Sequence, residues 1–263
     1  MIPFLRALLL RSFAICLICT VLAPLCLAQV HPLVVSGYDY RRPIFKENTR
    51  ILFLGDSITD MKWGRNEKDR NHYLGHSYVF LIAARLHTDL PDLELEFFNR
   101  GMSGHTVGDL KNRWQKDAIE MTPDVLSILI GVNDVGRAVR SNNEIDLKQW
   151  EADYRWILGA SRKANPKLKI VMLDPFVLPV GRLHGETAWD SWSGECNKLR
   201  SIVKRLAADY QAIHIQTQEI FDKASENVEA SHWMWDGVHP LPQGHELIAR
   251  HWIEAVSRQA GAE

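Results

Sequence analysis

Arg50-Ile51-Leu52-Phe53-Leu54-Gly55-Asp56-Ser57-Ile58-Thr59-Asp60 is an apolar run that stops at a glycine and gives way to polar, helix-capping residues. Its four consecutive large apolar side chains lack the polar alternation of a half-exposed strand and suit one covered on both faces. The pattern recurs downstream. Leu93 to Asn99, Val125 to Gly131, Leu168 to Asp174 and Ala212 to Gln216 each read as short strands. Between them, residues 78–87, 107–116, 149–164, 193–210 and 243–258 carry the apolar spacing of amphipathic helices. Leu90-Pro91-Asp92 and Asn165-Pro166 end two of these helices just before a strand, because the residue before proline is pushed out of the helical region. Strands alternating with helices imply right-handed βαβ units and a parallel sheet. No internal repeat, low-complexity tract or Gly/Ser linker divides the chain, so a single domain is expected after the N-terminal segment.

That segment differs in kind. Arg6 and Arg11 precede an uncharged, mostly apolar stretch, and Cys26-Leu27-Ala28 places small side chains three and one residues before a cut after Ala28. This is the form of a secretory signal peptide over residues 1–28, with 29–263 as the exported domain, periplasmic or secreted. The competing reading is an uncleaved N-terminal anchor. Cys16, Cys19 and Cys26 lie in the segment, leaving Cys196 alone in the remainder, so no internal disulfide is expected there. Cys196 falls in an amphipathic stretch and reads as a packing residue.

The 263 residues carry a formal net charge of −1, with Lys and Arg scattered. Neither a nucleic-acid footprint nor an electrostatic grip on membranes is indicated.

In open α/β sheets the ligand sits beyond the carboxyl ends of the strands. The polar residues follow that demand. Gly55-Asp56-Ser57 follows the first strand, Asn99-Arg100-Gly101-Met102-Ser103-Gly104-His105 the second and Gly131-Val132-Asn133-Asp134 the third, while Trp235-Asp236-Gly237-Val238-His239-Pro240 precedes the last helix. A serine hydroxyl needs a base to take its proton as it attacks. A histidine with an aspartate three residues earlier can supply one of fixed tautomer. Taken singly, each segment has a plainer reading: an N-capping serine, an Asx turn, a surface histidine. Other nucleophile signatures are missing. Gly75-His76-Ser77-Tyr78-Val79 fails the Gly-x-Ser-x-Gly elbow at its last position, and there is no Ser-x-x-Lys set. His72 and His76 are spaced for one helix face but lack the glutamate of a zinc-protease helix, so neither metal nor cofactor is expected.

Together the four blocks resemble the SGNH/GDSL hydrolases, in family order. The resemblance implies a three-layer α/β/α sandwich with a flavodoxin-like, mostly five-stranded parallel sheet. It also implies a serine esterase with Ser57 as nucleophile and His239 and Asp236 completing a triad, and assigns the oxyanion donors to the backbone N–H groups of Ser57 and Gly101 and the side-chain amide of Asn133. Phe53 to Asp60, Leu74 to Val79, Asp109 to Trp114 and Leu126 to Val135 are similar to the bacterial acetylxylan esterase-like subgroup. That points to removal of O-acetyl groups from a carbohydrate such as a xylo-oligosaccharide, and to a homo-oligomer. A lysophospholipase or thioesterase could use the same triad, and a non-catalytic carbohydrate-binding protein could keep the fold. Asp56 and Trp235 are the candidate substrate-binding residues. Trp63, Trp189, Trp192 and Trp233 are expected in loops, where they either face a sugar or pack.

Overall fold

A computed structural model describes residues 45–258. The expected signal peptide, residues 1–28, lies outside them. Five strands, β1 (Arg50–Gly55), β2 (Glu96–Gly101), β3 (Val125–Leu129), β4 (Lys169–Leu173) and β5 (Ile213–Ile215), form one parallel sheet in the order β2-β1-β3-β4-β5. The expected flavodoxin-like architecture is therefore present. Every residue of β3 is buried, as are residues 51–55 of β1 and 170–173 of β4. The edge strands β2 and β5 instead alternate between buried and partly exposed positions. Burial thus accounts for the difference between continuous and broken apolar runs.

The principal helices are α1 (Ser57–Asp60), α2 (Tyr78–Asp89), α3 (Val107–Trp114), α4 (Val132–Ser141), α5 (Leu147–Ala164), α6 (Glu186–Asp209), α7 (Thr217–Ser225), α8 (Ala230–Trp233) and α9 (Pro242–Arg258). They cover the sheet in two layers: α2 packs on α9, while α3 packs on α5 and α5 on α6. Helix α2 shows why such a segment folds as it does. Ser77 accepts the Val79 N–H at its start, and Tyr78, Val79, Ile82, Ala83 and Leu86 bury one stripe. Buried tryptophans find polar partners: Trp252 Nε1 donates to Ser127 Oγ and Trp114 Nε1 to Ser161 Oγ, each at 3.0 Å. Cys196 is fully buried in α6, and burial pushes its thiol up to about 12. Among the described residues no helix is long and apolar enough to cross a membrane.

Two expectations shift. The strand expected from Leu93 begins at Glu96, because Pro91–Leu93 closes a 3-10 turn first. Helix α6 starts at Glu186 rather than Ser193, so Trp189 and Trp192 are helical, not in loops; Trp233 likewise ends α8. The stripe Trp192, Cys196, Leu199, Val203, Leu206 runs unbroken through Ser193-Gly194, and Gly194 faces open space, where a missing side chain costs no packing.

Candidate active site

The order β2-β1-β3 makes the chain leave β1 on one side and return on the other, opening a crevice above the carboxyl ends of these strands. Ser57 enters it on the turn that leaves β1. Gly55 is needed there, since a Cβ would fall 2.4 Å from the Leu129 carbonyl oxygen. Asp56 caps α1 by accepting the Ile58 N–H at 3.0 Å, and Ser57 is the first helical residue.

Ser57 Oγ lies 2.8 Å from His239 Nε2. On the other side of the ring, His239 Nδ1 is 3.0 Å from Asp236 Oδ2 and 3.1 Å from Oδ1. Asp236 Oδ1 also accepts the backbone N–H groups of Val238 and His239 at 3.0 and 2.9 Å. Burial alone would raise this carboxyl, but the hydrogen bonds from His239 and Val238 outweigh it and hold Asp236 below the ordinary carboxylate range. Asp236 is therefore ionised and can orient the imidazole and stabilise its cation. The turn is closed by the Trp235 N–H to His239 C=O bond at 2.9 Å and by an antiparallel bridge between Met234 and Pro240.

The second donor block is arranged differently from expectation. Gly101 is buried, and its N–H already donates to Asn99 Oδ1 at 2.8 Å, so that group is not free for an oxyanion. Its glycine is required for packing: a Cβ would sit 2.3 Å from the Asp60 nitrogen. The free amide in this loop belongs to Gly104. That residue is exposed at φ +83° and its N–H has no partner among the described residues. Its carbonyl accepts from Arg137 Nη2 at 3.0 Å. Asn133, the second residue of α4, donates from Nδ2 to the His105 carbonyl at 3.1 Å and keeps its other amide proton. The Ser57 N–H is likewise unengaged among the described residues.

Asp56 was an expected substrate contact, yet it is 1% exposed and turned inward as a helix cap. Burial raises its carboxyl, and that of Asp134, to about 7. Trp235 is 70% exposed, and its ring centroid lies 6.3 Å from that of His239, so it stands at the rim of the site. Trp63 is buried; its Nε1 and Arg65 Nη1 both donate to the Gly101 carbonyl at 2.9 Å. Asp60 Oδ2 joins this clamp, accepting from Arg65 at 2.7 Å and from the Ser103 N–H and hydroxyl at 3.0 and 2.8 Å. Arg113 ties strand ends together through the Arg100 and Gly55 carbonyls and donates from Nε to His105 Nδ1. Asp60 and Arg113 lie in segments that carry the family resemblance and Trp63 is a candidate aromatic, but nothing in the spacing signals these contacts or Arg65. His72 and His76 lie in turns, with His72 paired to Asp69 at 2.8 Å, and do not share a helix face.

Residues 53–247 match the GDSL-like Lipase/Acylhydrolase family. The acetylxylan esterase of Geobacillus stearothermophilus is 30% identical over 213 residues, covering 79% of this chain and 93% of that enzyme. A solved structure of an acetylxylan esterase from the same organism superposes with a TM-score of 0.69 at 28% identity, covering 83% of this chain and 97% of that one. A structure from Parabacteroides merdae, described as GDSL-like, superposes with a TM-score of 0.76 at 33% identity and covers 82% and 99%.

Proposed function

The chain belongs to the GDSL-like lipase/acylhydrolase family and is a serine esterase, and from that premise we propose that it removes O-acetyl groups from a carbohydrate such as a xylo-oligosaccharide through an acyl-enzyme on Ser57. The observation that carries the mechanism is the hydrogen-bonded line from Ser57 Oγ through His239 to Asp236. Ser57 attacks the ester carbonyl while His239 Nε2 takes its proton, and the same imidazole then returns the proton to the departing sugar oxygen. Water then attacks the acyl carbon as His239 takes its proton. Collapse of this second intermediate breaks the bond to Ser57 Oγ, which regains that proton from His239 as acetate leaves. The negative oxygen of each tetrahedral intermediate meets donors from the Ser57 N–H, the Gly104 N–H and Asn133 Nδ2. Gly104 takes the part that the sequence pattern gave to Gly101, because its amide is the unengaged one.

Acetylated saccharide as substrate rests on the similarity to the Geobacillus esterase and on the exposed Trp235, whose face suits the C–H surface of a sugar ring. Export through residues 1–28 and assembly into a homo-oligomer belong to the same proposal. The amino-terminal sequence of protein recovered from its native host tests the first, and sedimentation tests the second.

The deciding experiment measures acetate release from acetylated xylo-oligosaccharides by wild type and Ser57→Ala, beside an acyl-chain series of aryl esters. The expected result is a preference for acetyl and an inert variant. A preference for chains of eight or more carbons overturns the acetylesterase reading. Retained activity in Ser57→Ala overturns the mechanism.

A further inference from the structure

The connection between β4 and α6 interlocks with the turn that holds Asp236. The Leu178 N–H donates to the Gly237 carbonyl at 3.0 Å. Gly181, at φ +55°, lies so close that a Cβ would come 2.6 Å from Asp236 Cα. Gly237, at φ +90°, approaches the same connection: a Cβ there would sit 2.7 Å from Leu183 Cγ and 2.8 Å from the Val180 carbonyl oxygen. From the 3-10 turn Gly181–Leu183, Arg182 extends Nη2 to 3.2 Å from Asp236 Oδ2. This is the oxygen that also takes His239 Nδ1 at 3.0 Å. The guanidinium carbon stands 5.6 Å from the ring centroid of Trp192, a residue only 7% exposed and thus a fixed platform.

We propose that Arg182 is a positioning residue that holds the Asp236 carboxylate against His239. Asp236 Oδ1 is fixed by two backbone N–H groups, whereas Arg182 is the partner that Oδ2 has besides His239 among the described residues. Without it the carboxylate loses one of two anchors on that oxygen. A guanidinium beside the dyad also opposes a positive charge on the imidazole. Charged and titratable groups near His239 include Asp236, Arg182 and the buried His245 of α9, which its desolvated site keeps neutral and which also feels His76. An ion pair whose arginine is 46% exposed contributes little to folding, so its effect falls on orientation and proton affinity rather than on stability.

The inference rests on the reading of Ser57, His239 and Asp236 as a triad. Arg182→Gln and Arg182→Lys, with Ser57→Ala as reference, are assayed on an aryl acetate across pH at low and high salt. For Arg182→Gln the expected result is an unchanged Tm, a kcat lower by about tenfold at nearly constant KM, and an acid limb of kcat/KM moved up by about half a pH unit. Arg182→Lys restores the limb. Wild type in ~1 M salt drifts toward the Gln variant, because salt screens the exposed charge. An unmoved limb with a raised KM overturns the proposal and makes Arg182 a substrate contact. If Ser57→Ala stays active, the triad reading itself fails. If that variant is inert while the limb of Arg182→Gln is unmoved, only the role of Arg182 fails.

Discussion

His245 offers a stability test that is independent of catalysis. It is 1% exposed in α9, accepts the Tyr78 N–H at Nδ1, and leaves Nε2 buried without a partner among the described residues. Burial, followed by the charges of His76 and His239, lowers its pKa to about 3. An unfolded histidine titrates near ~6.5. The folded state therefore refuses a proton that the unfolded chain accepts, and stability falls as pH drops through the unfolded value toward the folded one. With these two values, acidification from pH 7 to pH 5 costs about 2 kcal/mol from this one residue. Asp56 runs the other way, since its carboxyl is raised to about 7, and Asp134 does the same. The wild-type pH profile alone is therefore uninformative, and the measurement must be a difference. Urea unfolding of wild type and His245→Asn at pH 5, 6 and 7 supplies it; asparagine can still accept at the Tyr78 N–H. Packing lost in the variant shifts all three pH values equally. The pH-dependent part should favour His245→Asn by about 2 kcal/mol more at pH 5 than at pH 7. A difference that is flat with pH would refute the argument.

Asp56→Asn should show the opposite sign. Its raised carboxyl contributes stability below about 4 that is lost as pH climbs to about 7, so the variant gains about 2 kcal/mol relative to wild type between pH 5 and pH 7 in the same unfolding assay. Gly101→Ala and Gly104→Ala separate packing from oxyanion binding. The first forces a Cβ to 2.3 Å from backbone and should lower the yield of folded protein. The second meets nothing within 4 Å, so it should fold with a strain of about 1–2 kcal/mol at its positive φ and a reduced kcat. Asn133→Ala should cut kcat by about 10²–10³ while losing only about 1 kcal/mol of stability with its bond to the His105 carbonyl, and an unchanged kcat would remove it from the oxyanion site. Trp235→Ala should raise KM for acetylated xylo-oligosaccharides while leaving small aryl acetates and stability, within about 0.5 kcal/mol, as they were. Hydrolysis should fade in acid, since a general base must be unprotonated to take the serine proton, and a rate that stays unchanged down to pH 4 would exclude His239 as the base.

Burial on both faces writes itself into a strand as an uninterrupted apolar run, which is why β1, β3 and β4 were legible in the chain, as was the parallel order of an α/β sandwich. Short polar blocks at strand ends and before the last helix, read with their resemblance to the SGNH/GDSL blocks, singled out Ser57, Asn133, Asp236 and His239 as candidates, which periodicity alone could not rank. What the linear order could not express is which atoms are already engaged. Both Gly101 and Gly104 fit the block, and only the folded chain gives the first amide to Asn99 and leaves the second open. Asp56 beside the proposed nucleophile reads in the chain as a candidate substrate contact, and only the folded structure shows it buried as the cap of α1. Arg182 is 54 residues from Asp236 in the chain, and the connection that brings it there has no periodicity to read. Local sequence fixes what a segment prefers to bury, whereas hydrogen-bond partners across the crevice are set by the packing of distant segments, and that information exists only once the sheet has closed around them.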